Sequence, residues 1–155
     1  MKMLTIKQMI AALVAVLSVC LFIGLLYSQP FADFANADES TAFYIYTTSA
    51  GAGHEFQESR PSREEMAPLL ELLEAGGLRL AGRSRYIQWE SEDALYRLFF
   101  CHEENGAWVQ DADFNLCTDG MVYVHHDWLG YIRYRLTGCD MDAVESALLA
   151  LPGMT

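Results

Sequence analysis

LYRLFFCHEENGAWVQDADFNLCTDGMVYVHHDWLGYIRYRL, residues 95–136, is the stretch that decides the fold. Within it, Leu95 to Cys101, Trp108-Val109, Met121 to His125 and Tyr131 to Leu136 follow a period of two, the pattern of strands with one face against a core. Asn105-Gly106 is a strong hairpin signal between the first two, Asp119-Gly120 marks a second turn, and Trp128-Leu129-Gly130 closes a third. Connections this short make neighbouring strands antiparallel. With Tyr86-Ile87-Gln88-Trp89 upstream, the reading is a meander of four or five strands. In the last of them Ile132, Tyr134 and Leu136 face the core, and Tyr131, Arg133 and Arg135 face solvent.

Upstream, TAFYIYTT (41–48) alternates Phe43 and Ile45 with Tyr44 and Tyr46, which predicts one more strand before a Gly-rich loop reaching about residue 61. Ser62-Arg63-Glu64-Glu65 is a capping-box pattern, and Met66, Leu69, Leu70 and Leu73 place one apolar stripe on a helix that Gly76-Gly77 ends. Pro68 either kinks that helix or moves its start to near Met66. Downstream, Asp140 caps a helix expected over Met141 to Leu151, stopped by Pro152-Gly153. The order β-α-β-β-β-β-α favours an α+β fold, a small domain with two helices packed on an antiparallel meander sheet.

The chain has 155 residues, 52% of them hydrophobic, and a formal net charge of -11. An acidic chain is repelled by phosphate backbones and anionic leaflets, so nucleic acid is excluded as a partner. Met9 to Tyr27 is a run of nineteen uncharged residues, close to the about 20 that a helix needs to cross the hydrocarbon. The reading that follows is a cytoplasmic N-terminus (1–8), a single-pass transmembrane anchor (9–27) that makes the membrane a partner, a linker (28–40) and an extracytoplasmic domain (41–155). Lys2 and Lys7 before the run set that orientation. Ala35-Asn36-Ala37 offers the alternative, a secreted protein released by cleavage after Ala37. Lys2 and Lys7 are two of the ten basic residues and Asp33 one of the 21 acidic ones, so residues 38–155 hold eight Arg against twenty Asp+Glu, a net charge of -12.

Three cysteines follow the apolar run, Cys101, Cys117 and Cys139, an odd number; a Cys117–Cys139 disulfide is the favoured pairing, with free thiols as the alternative. Asp111, Asp113 and Asn115 supply oxygen ligands at alternate positions, with Asp119 at the ninth, but Leu116 and Val122 stand where a calcium loop needs Gly and Glu. That leaves a candidate divalent-metal site across Asp111, Asp113, Asn115, Asp119, His125 and Asp127, against the plainer reading of an acidic loop and strand-end histidines. Cys101-His102 point to opposite faces of a strand and make no catalytic pair, and no catalytic residue is assigned. Gly51-Ala52-Gly53 lacks the third Gly of a dinucleotide fingerprint, and no P-loop or zincin motif occurs, so no cofactor is expected. The chain has more large aromatics than one small core takes, and Trp89, Trp108, Trp128 and Tyr131 are candidate binding residues on a face or groove.

The layout resembles small, uncharacterised, membrane-anchored extracytoplasmic proteins of Gram-positive gut bacteria. The resemblance is carried by FYIYTT (43–48), SREEMAPLLELLEAGG (62–77) and DGMVYVHHDWLGYIRYRL (119–136). It implies no assigned activity. The expected function is a non-enzymatic binding module for a partner protein, peptide or cell-envelope component. The alternative is an envelope enzyme, a hydrolase or redox protein dependent on a thiol or a metal.

Overall fold

The computed structural model describes residues 6–26, 28–48, 56–88 and 94–154, without the side chains of 21–26, 48 and 56. Its centre is one antiparallel sheet of eight strands in the order β1-β4-β8-β7-β6-β5-β2-β3. The strands are β1 (Ser28–Pro30), β2 (Ala42–Thr48), β3 (Phe56–Ser59), β4 (Gly77–Ser84), β5 (Leu95–Glu104), β6 (Ala107–Cys117), β7 (Met121–His126) and β8 (Gly130–Thr137). The helices are α1 (Ile6–Leu26), α2 (Phe31–Ala35), α3 (Arg63–Glu74) and α4 (Met141–Leu149). Strands β5 to β8 run as a meander. Asn105 and Gly106 hold the positive φ values, 52° and 78°, that a two-residue hairpin loop demands.

Helices α2, α3 and α4 bury their apolar stripes on one face of the sheet. Met66, Leu69, Leu70 and Leu73 of α3 and Val144 and Leu148 of α4 meet Phe43, Ile45, Leu98, Phe100 and Phe114 in one cluster. The capping box forms as the spacing predicts. Ser62 Oγ accepts from the Glu65 N–H, and the Glu65 carboxylate accepts from the Ser62 N–H at 2.7 Å. Helix α3 therefore starts at Arg63, and Pro68 is held inside it.

Residues 28–40, expected as a linker, are folded into the domain. Ser28–Pro30 pairs with β4, and Phe31 and Ala35 are fully buried. Phe31 stacks edge-on against Phe100 and Phe114 at 6.3 and 5.6 Å, contacts worth about 0.5–1.5 kcal/mol each beyond their burial. The domain thus begins at Ser28, and two Phe side chains in a polar stretch account for it. The strand expected at Tyr86–Trp89 is also displaced. The paired strand is Gly77–Ser84; Arg85 and Tyr86 form a bend beyond it, Ile87 and Gln88 are in no strand, and Trp89 lies outside the described residues.

The structure corrects the transmembrane, single-pass and signal-anchor reading. Helix α1 carries Lys7 and Gln8 in its first turn. Among the described residues no helix is long and apolar enough to cross a membrane. The described apolar side chains of α1, from Ile6 to Val19, are more than half exposed and take no part in the core.

Candidate functional site

Strand β6 carries one residue more than its partner can match. Phe100 pairs with Ala112 and Cys101 with Gln110, so Asp111 is the extra residue of a β-bulge. The bulge turns the Asp111 carboxylate to the side that His102 faces. Asp111 Oδ1 lies 2.7 Å from His102 Nδ1, and Oδ2 accepts from the fully buried Ser40 hydroxyl at 2.8 Å. Asn36, in the left-handed conformation that ends α2, donates its Nδ2 to Oδ1 at 3.3 Å. Arg63 ties down the same loop by donating to the carbonyls of Ala37 and Ser40 at 2.9 and 2.6 Å. Burial of the Asp111 side chain, 3% exposed, acts to raise its pKa, but the hydrogen bonds from Ser40, His102 and Asn36 outweigh this and hold it below the usual carboxylate value. The carboxylate is therefore ionised at neutral pH, and His102 Nδ1 is the donor.

Among the described residues β6 and β7 share only two ladder positions, Asn115 with Tyr123 and Leu116 with Val122. Strand β6 pairs with β5 along its whole length from Ala107, and β7 pairs with β8 from Met121 to His126. Toward the Asn105-Gly106 hairpin, β6 and β7 therefore diverge. A cleft of about 240 Å³ lies between them, lined by Gln110 to Asp113 on one side and Val124 and His125 on the other. Phe34 of α2 also lines it, with its ring 5.7 Å from Phe114 and 5.8 Å from Tyr134.

Among the described residues the face of the sheet opposite the helices is only partly covered. Over Cys117, Met121 and Tyr123 it carries a second small cluster, to which Ile87 and Tyr131 add; the Tyr123 hydroxyl donates to the Gln88 carbonyl at 2.7 Å. Over β2, β5 and β6 that face holds, among the described residues, Tyr44, Tyr46 and Phe99, all partly buried. Tyr46 and Phe99 meet edge-on at 5.6 Å, Arg97 lies over Phe99 at 4.5 Å, and Arg60 lies over Tyr44 at 5.3 Å. Asp113 holds Arg97 by a two-pronged pair at 3.0 and 2.9 Å, which fixes the guanidinium plane on the ring.

The proposed metal ligands are not brought together. Asp111 belongs to the Ser40 and His102 network, and Asp113 is taken by Arg97. Asn115 is buried beside Tyr123, and Asp119 accepts from the Met121 N–H at 2.8 Å in the turn at the far end of β7. His125 and Asp127 stand 4.0 Å apart, both exposed. Among the described residues no three His, Cys, Asp or Glu side chains are placed to hold a metal ion. Cys117 and Cys139 are not joined by a disulfide. They sit on opposite sides of the sheet, Cys117 in the Tyr123 cluster and Cys139 against the helix-side core.

Of the aromatic candidates, Trp89 lies outside the described residues. Trp108 and Trp128 project from the ends of two hairpins, 59% and 84% exposed, and Tyr131 packs edge-on against Tyr123 and His125. The groups that do converge, Tyr44 with Arg60, Phe99 with Arg97, and His102 with Asp111, were not foreseen as pairs. Strand parity places Phe99 on the side of Tyr44 and Tyr46, but only the register shows which arginines lie over the rings.

Burial pushes the Cys101 thiol up, and the carboxylates of Asp111 and Asp113 push it further, so the reactive thiolate is disfavoured; burial does the same to Cys139. Comparison with protein-family models, with curated proteins and with solved structures finds no match for the chain.

Proposed function

We propose that the chain is a non-enzymatic binding module that presents the uncovered face of its sheet to a partner protein, peptide or envelope component. One observation carries this reading. Three helices close one face, while the other keeps an ordered group of rings, Tyr44, Tyr46 and Phe99, with Arg60 and Arg97 stacked on them. Rings and guanidinium planes held rigid in advance supply contact area at little entropic cost, and such residues dominate protein interfaces. A photoreactive phenylalanine analogue at position 99, in the chain expressed in its own cells, is expected to crosslink a defined partner. The same group at Glu71, exposed on the helix side, is expected to give none. Equal labelling from both positions would remove the reading.

The hydrogen-bonded pair of His102 and Asp111 favours a second reading, a hydrolase with His102 as general base. Turnover of p-nitrophenyl acetate by the purified chain, abolished in His102→Gln, would support it. Turnover equal to buffer would leave the pair as an element of structure.

A further inference from the structure

We propose that the cleft between β6 and β7 is a docking site for an extended peptide, which adds to the open edge of β6 as an extra strand. The inference concerns a strand edge and goes beyond the reading of the open face. Among the described residues the outermost strands are short, and so are the edges they leave bare, Leu80–Ser84 of β4, which holds a bulge, and Ala42–Tyr44 of β2. Strand β1 is three residues long and ends in Pro30, and β3 is four residues long. The edge of β6 facing β7 is different. From Ala107 to Phe114 it has a partner in β5 on one side, and among the described residues no ladder partner on the other. The main-chain groups on that side alternate with those bonded to β5 and, among the described residues, have no backbone partner. A second main chain in extended form has the complementary spacing, so an extended peptide is the occupant that this chemistry selects.

The walls say more about its side chains. Facing the helix layer, the peptide meets Phe34, Ala112 and Val124, an apolar lining that takes aliphatic residues at alternate positions. Exposed Glu103, Glu104 and Asp127 stand at the two neighbouring hairpin ends, which favours Lys or Arg in the outward row. The ligand class is thus an extended segment alternating aliphatic and basic residues.

Two measurements on the full chain test this. Amide hydrogen exchange of the free protein is expected to show fast exchange at every second residue of 107–114, with slow exchange throughout 95–101. Uniform protection of 107–114 would mean that the sheet is closed and would overturn the proposal. The second uses an acetylated, amidated (Lys-Val)4 peptide as probe, with two analogues N-methylated on one edge or the other. The parent peptide is expected to slow exchange within 107–114. Methylating the pairing edge is expected to weaken binding about tenfold or more, while methylating the other edge leaves it unchanged. Val124→Trp, which fills the cleft, is expected to lose the same binding. Protection that appears elsewhere, or equal binding by parent and both analogues, overturns the proposal. Loss of crosslinking from position 99 would leave it standing, because that result bears on the open face alone.

Discussion

Replacing Asp111 with Ala should expose the energetic role of the bulge. The carboxylate is buried, accepts two short hydrogen bonds from Ser40 and His102 and a longer one from Asn36, and links the loop after α2 to β5 and β6. Hydrogen bonds to an ionised group are worth about 1.5–3 kcal/mol each. Release of the desolvated carboxylate offsets part of that, and the Ser40 hydroxyl still reaches the Asn36 carbonyl at 3.2 Å. A net loss of about 2–3 kcal/mol follows, which for a domain of this size lowers Tm by about 8–12 °C at pH 7. The pH dependence is more diagnostic. The folded-state pKa of Asp111 lies below its unfolded value, so its contribution is complete above about pH 4 and disappears as pH falls through the folded value. Urea unfolding followed by circular dichroism at pH 7 and at pH 2.5 should therefore show the wild type and the variant converging in acid. A gap of equal size at both pH values, or none at pH 7, would refute the argument that the ionised carboxylate holds this end of the sheet.

Other consequences are as direct. Burial first and the neighbouring Glu145 second push the Tyr96 hydroxyl up to about 12. A titration of tyrosinate absorbance should then find Tyr96 ionising well above pH 10, with Tyr123 and Tyr134, also raised by burial, among the later of the eight tyrosines. Because the unfolded chain releases that proton near pH 10 and the native chain keeps it, stability should fall above pH 10 by up to about 1.4 kcal/mol per unit. Phe31→Ala should cost about 3–5 kcal/mol in chemical denaturation, since the ring is wholly buried among Phe34, Phe100 and Phe114. A loss under 1 kcal/mol would return residues 28–40 to the status of a linker. Deleting residues 1–27 should leave Tm within about 2 °C of the full chain, since the described apolar side chains of α1 contribute nothing to the core. The same deletion should reduce self-association in analytical ultracentrifugation by removing an exposed apolar surface.

The parts of the fold that were legible in the sequence are those fixed by local chemistry. Asn105-Gly106 can hardly do other than turn, and Ser62 and Glu65 complete each other wherever the chain goes. Alternation placed Phe43 and Ile45 inside and Tyr44 and Tyr46 outside. What was lost depended on distant partners. Strand β4 follows no clean period because its pairing shifts between Leu80 and Gly82, where φ is 123°. The stretch SQPFADFA is polar enough to pass for a linker, and only the packing of Phe31 and Phe34 under Phe114 makes it part of the core. The candidate site was hidden for the same reason. An Asp at position 111 looks like a solvated or metal-binding carboxylate until the register makes it the one residue too many in its strand.

That single residue explains why the sheet is both held and split at one end. A bulge bends its strand and increases the local twist, which carries β6 away from β7 beyond Asn115 and forgoes the ladder bonds the two would otherwise share. A strand edge left open in the middle of a sheet is unfavourable unless something else fixes the geometry. Here Asp111 itself supplies the replacement, through Ser40, His102 and Asn36 on the helix side, while Arg63 pins the loop that carries two of those donors. Phe34 lines the gap where β6 and β7 part. Opening β6 and burying a charge are thus two results of one insertion, and the hydrogen bonds to the carboxylate offset part of both costs. The exposed edge and the satisfied carboxylate should therefore be lost or kept together.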